Sequence, residues 1–298
     1  MCCDANECIH LYVVFDTPKV LCRIPKSSLL VPINSTLSQG DTLGPLSYYC
    51  ELRAQYWVWK NNSQTPDSYV GFFHYRRYLD LNKLGSTKKL CPYQILFYPN
   101  AENYTYQQLW PLLQKYDIIA PIPEYTGTPV WIRYASTPGH NLEELIYSRR
   151  YIAEHTPDYL ADFDQYMTGK QEYYCNMFVM RWKHFDSYCQ WLFPILQDVE
   201  QHLGKALMEK SLGYLGERLF GVYFTKHARE GALCCSEVPR AHYSAYDDKT
   251  HHFRELFLVN ILLPPGSKRR AWIKNNTRRM RYQENEYGAY FNNCNSNL

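Results

Sequence analysis

The stretch that decides the fold is YVGFFHYRRYLD, Tyr69 to Asp80. It opens on a run of apolar residues and glycine, the signature of a strand buried on both faces, and then meets His74, Arg76 and Arg77 with no turn residue between. Buried charge is costly unless something pairs with it. A strand over Ser68–Phe73 that delivers three cations at its end therefore predicts that the end opens onto a crevice, with His74 and Arg76 on one face and Arg77 on the other.

Further strands read from the same apolar signal are CIHLYVVFD, ending near Asp16, LLVPIN, YDIIAP at Asp117 to Ala120, and YYCNMFVM, in which Asn176 is a polar residue inside an apolar strand. Between them lie helical spacings. SYYCELRAQYWVWKNN sets Tyr49, Leu52, Tyr56 and Trp59 on one face with Ser47 as N-cap, and NLEELIYSRRYIAEH has Asn141 and Glu144 in capping-box register. TPDYLADFDQYM has Thr156 as cap, Pro157 in the first turn and Gly169 as terminator; Asp162 and Asp164 read as its solvated face. KHFDSYCQWLFPILQDVEQHL is a helix with a kink expected at Pro194, and GYLGERLFGVYFTKHA is another. Pro121 to His140 is rich in Pro, Gly, Thr and aromatics without periodicity, which predicts a lid.

Strands alternating with helices predict an α/β fold around a mostly parallel sheet, in which ligands bind beyond the carboxyl ends of the strands. His74, Arg76, Arg77, Asp16 and Thr17 lie at such ends. After Ala228 the pattern loosens, which draws a soft boundary between residues 1–228 and an extension over residues 229–298.

Composition narrows the function. Over 298 residues the net charge is only +3, too small for the body of the protein to bind nucleic acid. No stretch reaches the roughly 18 apolar residues of a membrane span, and the N-terminus lacks the order of a secretory signal, so the expected location is the cytoplasm. The 11 cysteines are odd in number and irregularly spaced, which favours reduced thiols and sets aside a zinc site. GSKRRAWIKNNTRRMRY, residues 266–282, carries seven Lys or Arg and no acid, with Trp272, Ile273 and Met280 interleaved. Such a segment can lie on an anionic membrane surface at the inner face of the cell membrane, or be a solvated basic tail.

YYCELRAQYWVWKN, YVGFFHYRRYL, YCNMFVMRWKHFDSYCQWLFPIL and GYLGERLFGVYF, taken in this order over Ile9 to Phe224, resemble a family of bacterial glycosyltransferases of capsule, exopolysaccharide and O-antigen clusters, long labelled only as a domain of unknown function. The resemblance implies a GT-A-like, Rossmann-type α/β domain over 1–228. It further implies transfer of a hexose, galactofuranose or galactose favoured, from a UDP-sugar to a lipid-linked or polysaccharide acceptor, with inversion.

Such a transfer must neutralise charge growing on the departing diphosphate. GT-A enzymes often use a divalent metal, Mn or Mg, held by Asp-x-Asp; the equivalent place here reads His74-Tyr75-Arg76, so His74 and the arginine forks are assigned to the diphosphate, with His74 open as a metal ligand. The alternative for Arg76 and Arg77 is pairing with Glu51 and Asp80. Asp16 and Thr17 are assigned to the base or ribose, with a turn acid as the alternative. Glu217, expected to open its helix, is the candidate general base, Gly213 and Gly216 admitting backbone or acceptor; a first-turn acid favoured by the helix dipole is the other reading. Asn176, Glu51 and Arg218 are assigned to sugar or acceptor. The rival functions are a non-catalytic carbohydrate-binding or scaffold protein of the same fold and a nucleic-acid binder using the basic tail.

Overall fold

The computed structural model describes residues 8–43, 47–88, 90–96, 103–243, 259, 262–264 and 267–277. Strands β1 (Ile9–Phe15), β2 (Leu30–Asn34), β3 (Tyr69–His74), β6 (Ile118–Pro121), β9 (Phe178–Arg181) and β10 (Cys235–Val238) form the central sheet. Pairing gives the order β2–β1–β3–β9–β6–β10, with β9 antiparallel to both neighbours and the other strands parallel. The mostly parallel α/β sheet expected from the sequence is thus the observed one.

Alternation along the strands explains why they read as unbroken apolar runs. Ile9, Leu11, Val13 and Phe15 of β1 join the core on one face with Tyr69, Phe73 and Val179, while Tyr12 and Val14 join the other with Val70, Phe72 and Phe178. Both faces are covered, so neither can be polar. Helices α1 (Leu52–Asn61), α4 (Leu142–His155), α5 (Leu160–Thr168), α6 (Trp182–Leu203) and α7 (Ser211–Glu230) contribute to the second core, and α2 (Tyr106–Leu113) to the first. Gly71 is required in mid-strand, because a Cβ there would lie 2.8 Å from side chains of both Leu11 and Val179 on the flanking strands.

Several expectations are corrected. Ser47–Tyr49 is a separate 3₁₀ turn, and the helix after it starts at Leu52. The stretch from Pro121 to His140 is no structureless lid: it holds β7 (Glu124–Tyr125), paired with β8 (Gln171–Glu172), and helix α3 (Val130–Ala135), whose Val130, Trp131 and Tyr134 are buried in the core. Asp162 and Asp164 are buried rather than solvated, held by two-point hydrogen bonds from Arg229 and Arg149 respectively. The sheet also runs past residue 228. β10 pairs with β6, and β11 (Arg240–Tyr243) lies between β4 (Arg77–Leu79) and β5 (Tyr93–Leu96). Beyond them, helix α8 (Lys268–Thr277) carries part of the basic segment; Gly266 and residues 278–282 of that segment lie outside the described residues.

Candidate active site

The carboxyl ends of β1, β2 and β3 stand level, since Phe15 pairs with Asn34 and Val14 with His74. Because β9 is antiparallel, the turn that precedes it, Tyr173–Met177, falls at the same edge: Phe178 pairs with Phe72. The segments after β6 and β10 bring Glu124 and Arg240 there too.

At the end of β3 the chain turns. His74 pairs with Arg77 across a two-residue reversal at Tyr75–Arg76, so the expected partnership of His74 with Arg76 is corrected. Residues directly opposite on antiparallel strands share a face. Arg77 is flanked by His74 on β3 and by His242 on β11. His74 Nε2 and Cys175 O are 3.0 Å apart, and Arg77 Nη1 donates to Cys175 Sγ at 3.6 Å. Arg76 occupies the turn, half-buried, its guanidinium 5.8 Å from the Tyr75 ring centre.

Cys175 and Asn176 have left-handed backbones, φ 81° and 46°. Asn176 therefore lies in a turn and not inside the strand, as its sequence setting suggests. Such conformations cost on the order of 1–3 kcal/mol each in non-glycine residues and persist where surrounding contacts impose them. Those contacts are present. Cys175 N–H donates to Glu217 Oε1 at 2.6 Å, and Arg240 Nη1 donates to Cys175 Sγ at 3.0 Å. The Asn176 side-chain NH2 donates to Glu51 Oε1 and Gly213 O at 3.0 and 2.9 Å, and the Asn176 backbone carbonyl accepts from Gln55 Nε2 at 2.7 Å.

Glu51 immediately precedes α1 and lies 3.6 Å from His74 Nε2. Its charged partner is that histidine rather than an arginine. Burial pushes its carboxyl up, but His74, its own N–H and the Asn176 amide outweigh that and hold it below the ordinary range. Glu217 behaves oppositely. Burial raises its carboxyl, Arg218 pulls it down, Glu51 raises it again, and the net shift is upward. It sits in the second turn of α7 rather than opening the helix, which also removes the first-turn dipole reading. Gly213 and Gly216 serve packing: a Cβ on them would meet Cys50 at 3.0 Å and Leu52 at 2.5 Å.

Arg218 is 4% exposed and bound to Glu217 Oε2 at 2.6 Å, Glu172 Oε2 at 3.1 Å and Tyr214 O at 3.1 Å. It orients Glu217 and does not face a ligand, which corrects its assignment to sugar or acceptor. Asp16 and Thr17 are exposed at the end of β1. Among the described residues no three His, Cys, Asp or Glu side chains converge on a metal position, and the carboxylate beside His74 is Glu51 at 3.6 Å; no step proposed for this chain passes through a metal.

Sequence reading missed Arg240, Glu124, Arg133 and Glu172. Arg240 pairs with Glu124, and Glu172, fully buried, bridges Arg133 and Arg218. The available signal was an arginine beside the alternating pair Ala241 and Tyr243, past the boundary drawn at 228.

The pattern of a family described as "Domain of unknown function (DUF4422)" matches residues 44–228, more than half of the chain. The chain belongs to this family. The matched span holds Glu51, His74, Arg77, Cys175, Asn176 and Glu217, so the carboxyl-edge site lies inside the family's domain apart from Asp16, Thr17 and the strand carrying Arg240. Among solved structures it is similar to the WbbM bifunctional glycosyltransferase in its apo form, with a TM-score of 0.69 and 23% identity over 79% of this chain and 45% of that one. This family member therefore shares a glycosyltransferase, GT-A-like fold, and spans less than half the length of that structure. No curated protein matches it.

Proposed function

We propose that the protein is a glycosyltransferase that takes a hexose, galactofuranose or galactose favoured, from a UDP-sugar and passes it to an oligosaccharide or lipid-linked acceptor of a surface polysaccharide. The observation that carries this reading is the His74–Arg77 pair at the carboxyl edge of a GT-A-like sheet, fixed against the strained Cys175–Asn176 turn. A half-buried histidine–arginine pair at the carboxyl edge of a parallel sheet suits a diphosphate, since arginine forks bind phosphate with directional hydrogen bonds. Arg76, on the turn between them, adds to that rim, while Asp16 and Thr17 meet the nucleoside.

In the inverting transfer, the acceptor hydroxyl oxygen attacks the anomeric carbon as the bond from that carbon to the diphosphate oxygen breaks. The hydroxyl proton passes to a carboxylate, and UDP leaves with the electron pair. Glu217 is assigned as that base: its upward shift makes it a better proton acceptor than an exposed glutamate, and Arg218 and the Cys175 N–H fix its orientation. Glu51 and Asn176 are assigned to the sugar.

No helix among the described residues is long and apolar enough to cross a membrane. Leu262 and Trp272, 72% and 68% exposed, flank the exposed cations Lys268 and Arg269, which supports contact of α8 with an anionic bilayer at the cytoplasmic face.

The test is release of UDP from a panel of UDP-hexoses, with and without manganese and chelator. Turnover of at least one donor is expected. A second reading, sugar binding without turnover, is favoured by one observation: both Glu217 oxygens already accept internal hydrogen bonds. Glu217→Gln separates the two, since loss of turnover with retained donor binding supports the base and unchanged function supports the binding protein.

A further inference from the structure

Helix α7 runs through the core with one opening. From Ser211 to Phe224 every residue is buried except Tyr214 and Glu217. Residues three apart on a helix are neighbours on its surface, so the two share a single window. The Glu217 side chain is only 11% exposed there, and Tyr214 is half-buried. Gly213 O accepts from the Asn176 side chain at 2.9 Å and Tyr214 O from Arg218 Nη1 at 3.1 Å, which fixes the backbone of this turn against the site.

The Tyr214 ring is held from behind. His140 packs on it with ring centres 4.5 Å apart, and His140 in turn meets Tyr134 at 4.4 Å. Tyr134 is fully buried and anchored by its hydroxyl on Glu144. Burial, with Arg218 and Arg133 nearby, lowers the His140 imidazole to about 3, so the middle ring of the stack is uncharged near neutral pH. Among the described residues no other ring and no cation packs on Tyr214, and its hydroxyl enters no hydrogen bond. Burial raises that hydroxyl above its ordinary range. Cys50 adds to the rise, Lys210 opposes it, and Glu217 and Glu51 raise it further, so the polar tip of the ring lies in the field of both site carboxylates.

A ring backed on one side, with its hydroxyl unspent and a carboxylate beside it, suits a sugar. The C–H face of a pyranose packs on the aromatic surface, and the phenol is left to bond a sugar hydroxyl. An acceptor hydroxyl must come within hydrogen-bond reach of its base, and a group that approaches Glu217 through this window meets Tyr214. We infer that Tyr214, backed by His140, is the platform on which the terminal pyranose of the acceptor stacks, its hydroxyl holding a sugar hydroxyl next to Glu217. The acceptor role rests on the glycosyltransferase reading; binding of a neutral pyranose at Tyr214 does not.

The full-length chain is titrated with the methyl β-pyranosides of glucose, galactose and mannose, with and without UDP, by saturation-transfer NMR. At least one is expected to bind, with transfer strongest to the C–H bonds of one ring face. Tyr214→Leu is expected to weaken that binding about tenfold, the worth of one aromatic contact, and Tyr214→Phe about threefold, the worth of one neutral hydrogen bond. UDP affinity should change less than about twofold in both. Circular dichroism checks that the variants fold, and undiminished pyranoside binding in either folded variant overturns the platform. UDP binding by the wild type without any pyranoside binding overturns the platform alone. Pyranoside binding that depends on Tyr214, without UDP binding or turnover, upholds the platform and sinks the donor reading.

Discussion

Two sides of one turn are built on opposite plans. On the α7 side of Cys175–Asn176, Arg218 is almost wholly buried and spends its donors on Glu172, Glu217 and the Tyr214 carbonyl. On the β3 side, His74 and Arg77 are half-buried and fastened to the turn by a carbonyl and a thiol, with Glu51 at 3.6 Å from His74. One side closes its charges upon each other and so fixes shape. On the other, His74 faces Glu51 while Arg77 is tied to a thiol and, among the described residues, enters no ion pair, which is what a site awaiting an anion requires.

The largest effect that tests this contrast is on stability. Arg218→Ala takes the shared cation from Glu217 and leaves buried Glu172 with Arg133 alone, and unfolding in urea should show a loss of about 3–5 kcal/mol. A loss under about 1 kcal/mol, the range of an exposed pair, would erase the contrast. Arg77→Ala should do the reverse, with a small change in unfolding midpoint and UDP binding weakened by about ten- to hundredfold, the worth of a hydrogen bond to a charged group.

The two carboxylates sharpen the comparison through pH. Glu217 is raised above its ordinary 4.5, so it contributes stability below that value that is lost as pH rises through its folded pKa. Glu51 is lowered, so its contribution is present above 4.5 and lost as pH falls through its folded pKa. Compared with wild type in urea unfolding from acid to neutral pH, Glu217→Gln should gain relative stability as pH rises, and Glu51→Gln should gain it as pH falls. Slopes of the same sign contradict the assignment. The smallest effect is expected on α8: Trp272→Ser should weaken sedimentation with phosphatidylserine vesicles by severalfold, and raised salt should weaken it further.

What the sequence disclosed depended on the physics of each feature. The sheet was legible because strands covered on both faces have no polar alternative, as in Ile9–Phe15 and Tyr69–His74. His74 and Arg77 stood out because they interrupt such a run. The turn between them was hidden: Tyr75 and Arg76 carry no turn signal, and the reversal is imposed by pairing of β4 with distant β11. The same holds for Asn176, whose left-handed backbone is fixed by Glu51, Gln55 and Gly213, all far away in sequence. Asp162 and Asp164 were misread because periodicity within α5 cannot reveal that Arg229 of α7 covers the first and Arg149 of α4 the second. Arg240 was lost behind a boundary drawn on local pattern alone, where strand pairing over long range decides membership of the sheet.

The most direct test of the nucleotide-sugar site is calorimetric titration of UDP into the wild-type chain and into Arg77→Ala. Saturable binding by the wild type and a loss of affinity of at least about tenfold in the variant are predicted. Equal affinity in the two proteins, or no binding of UDP by the wild type with or without manganese, would contradict it.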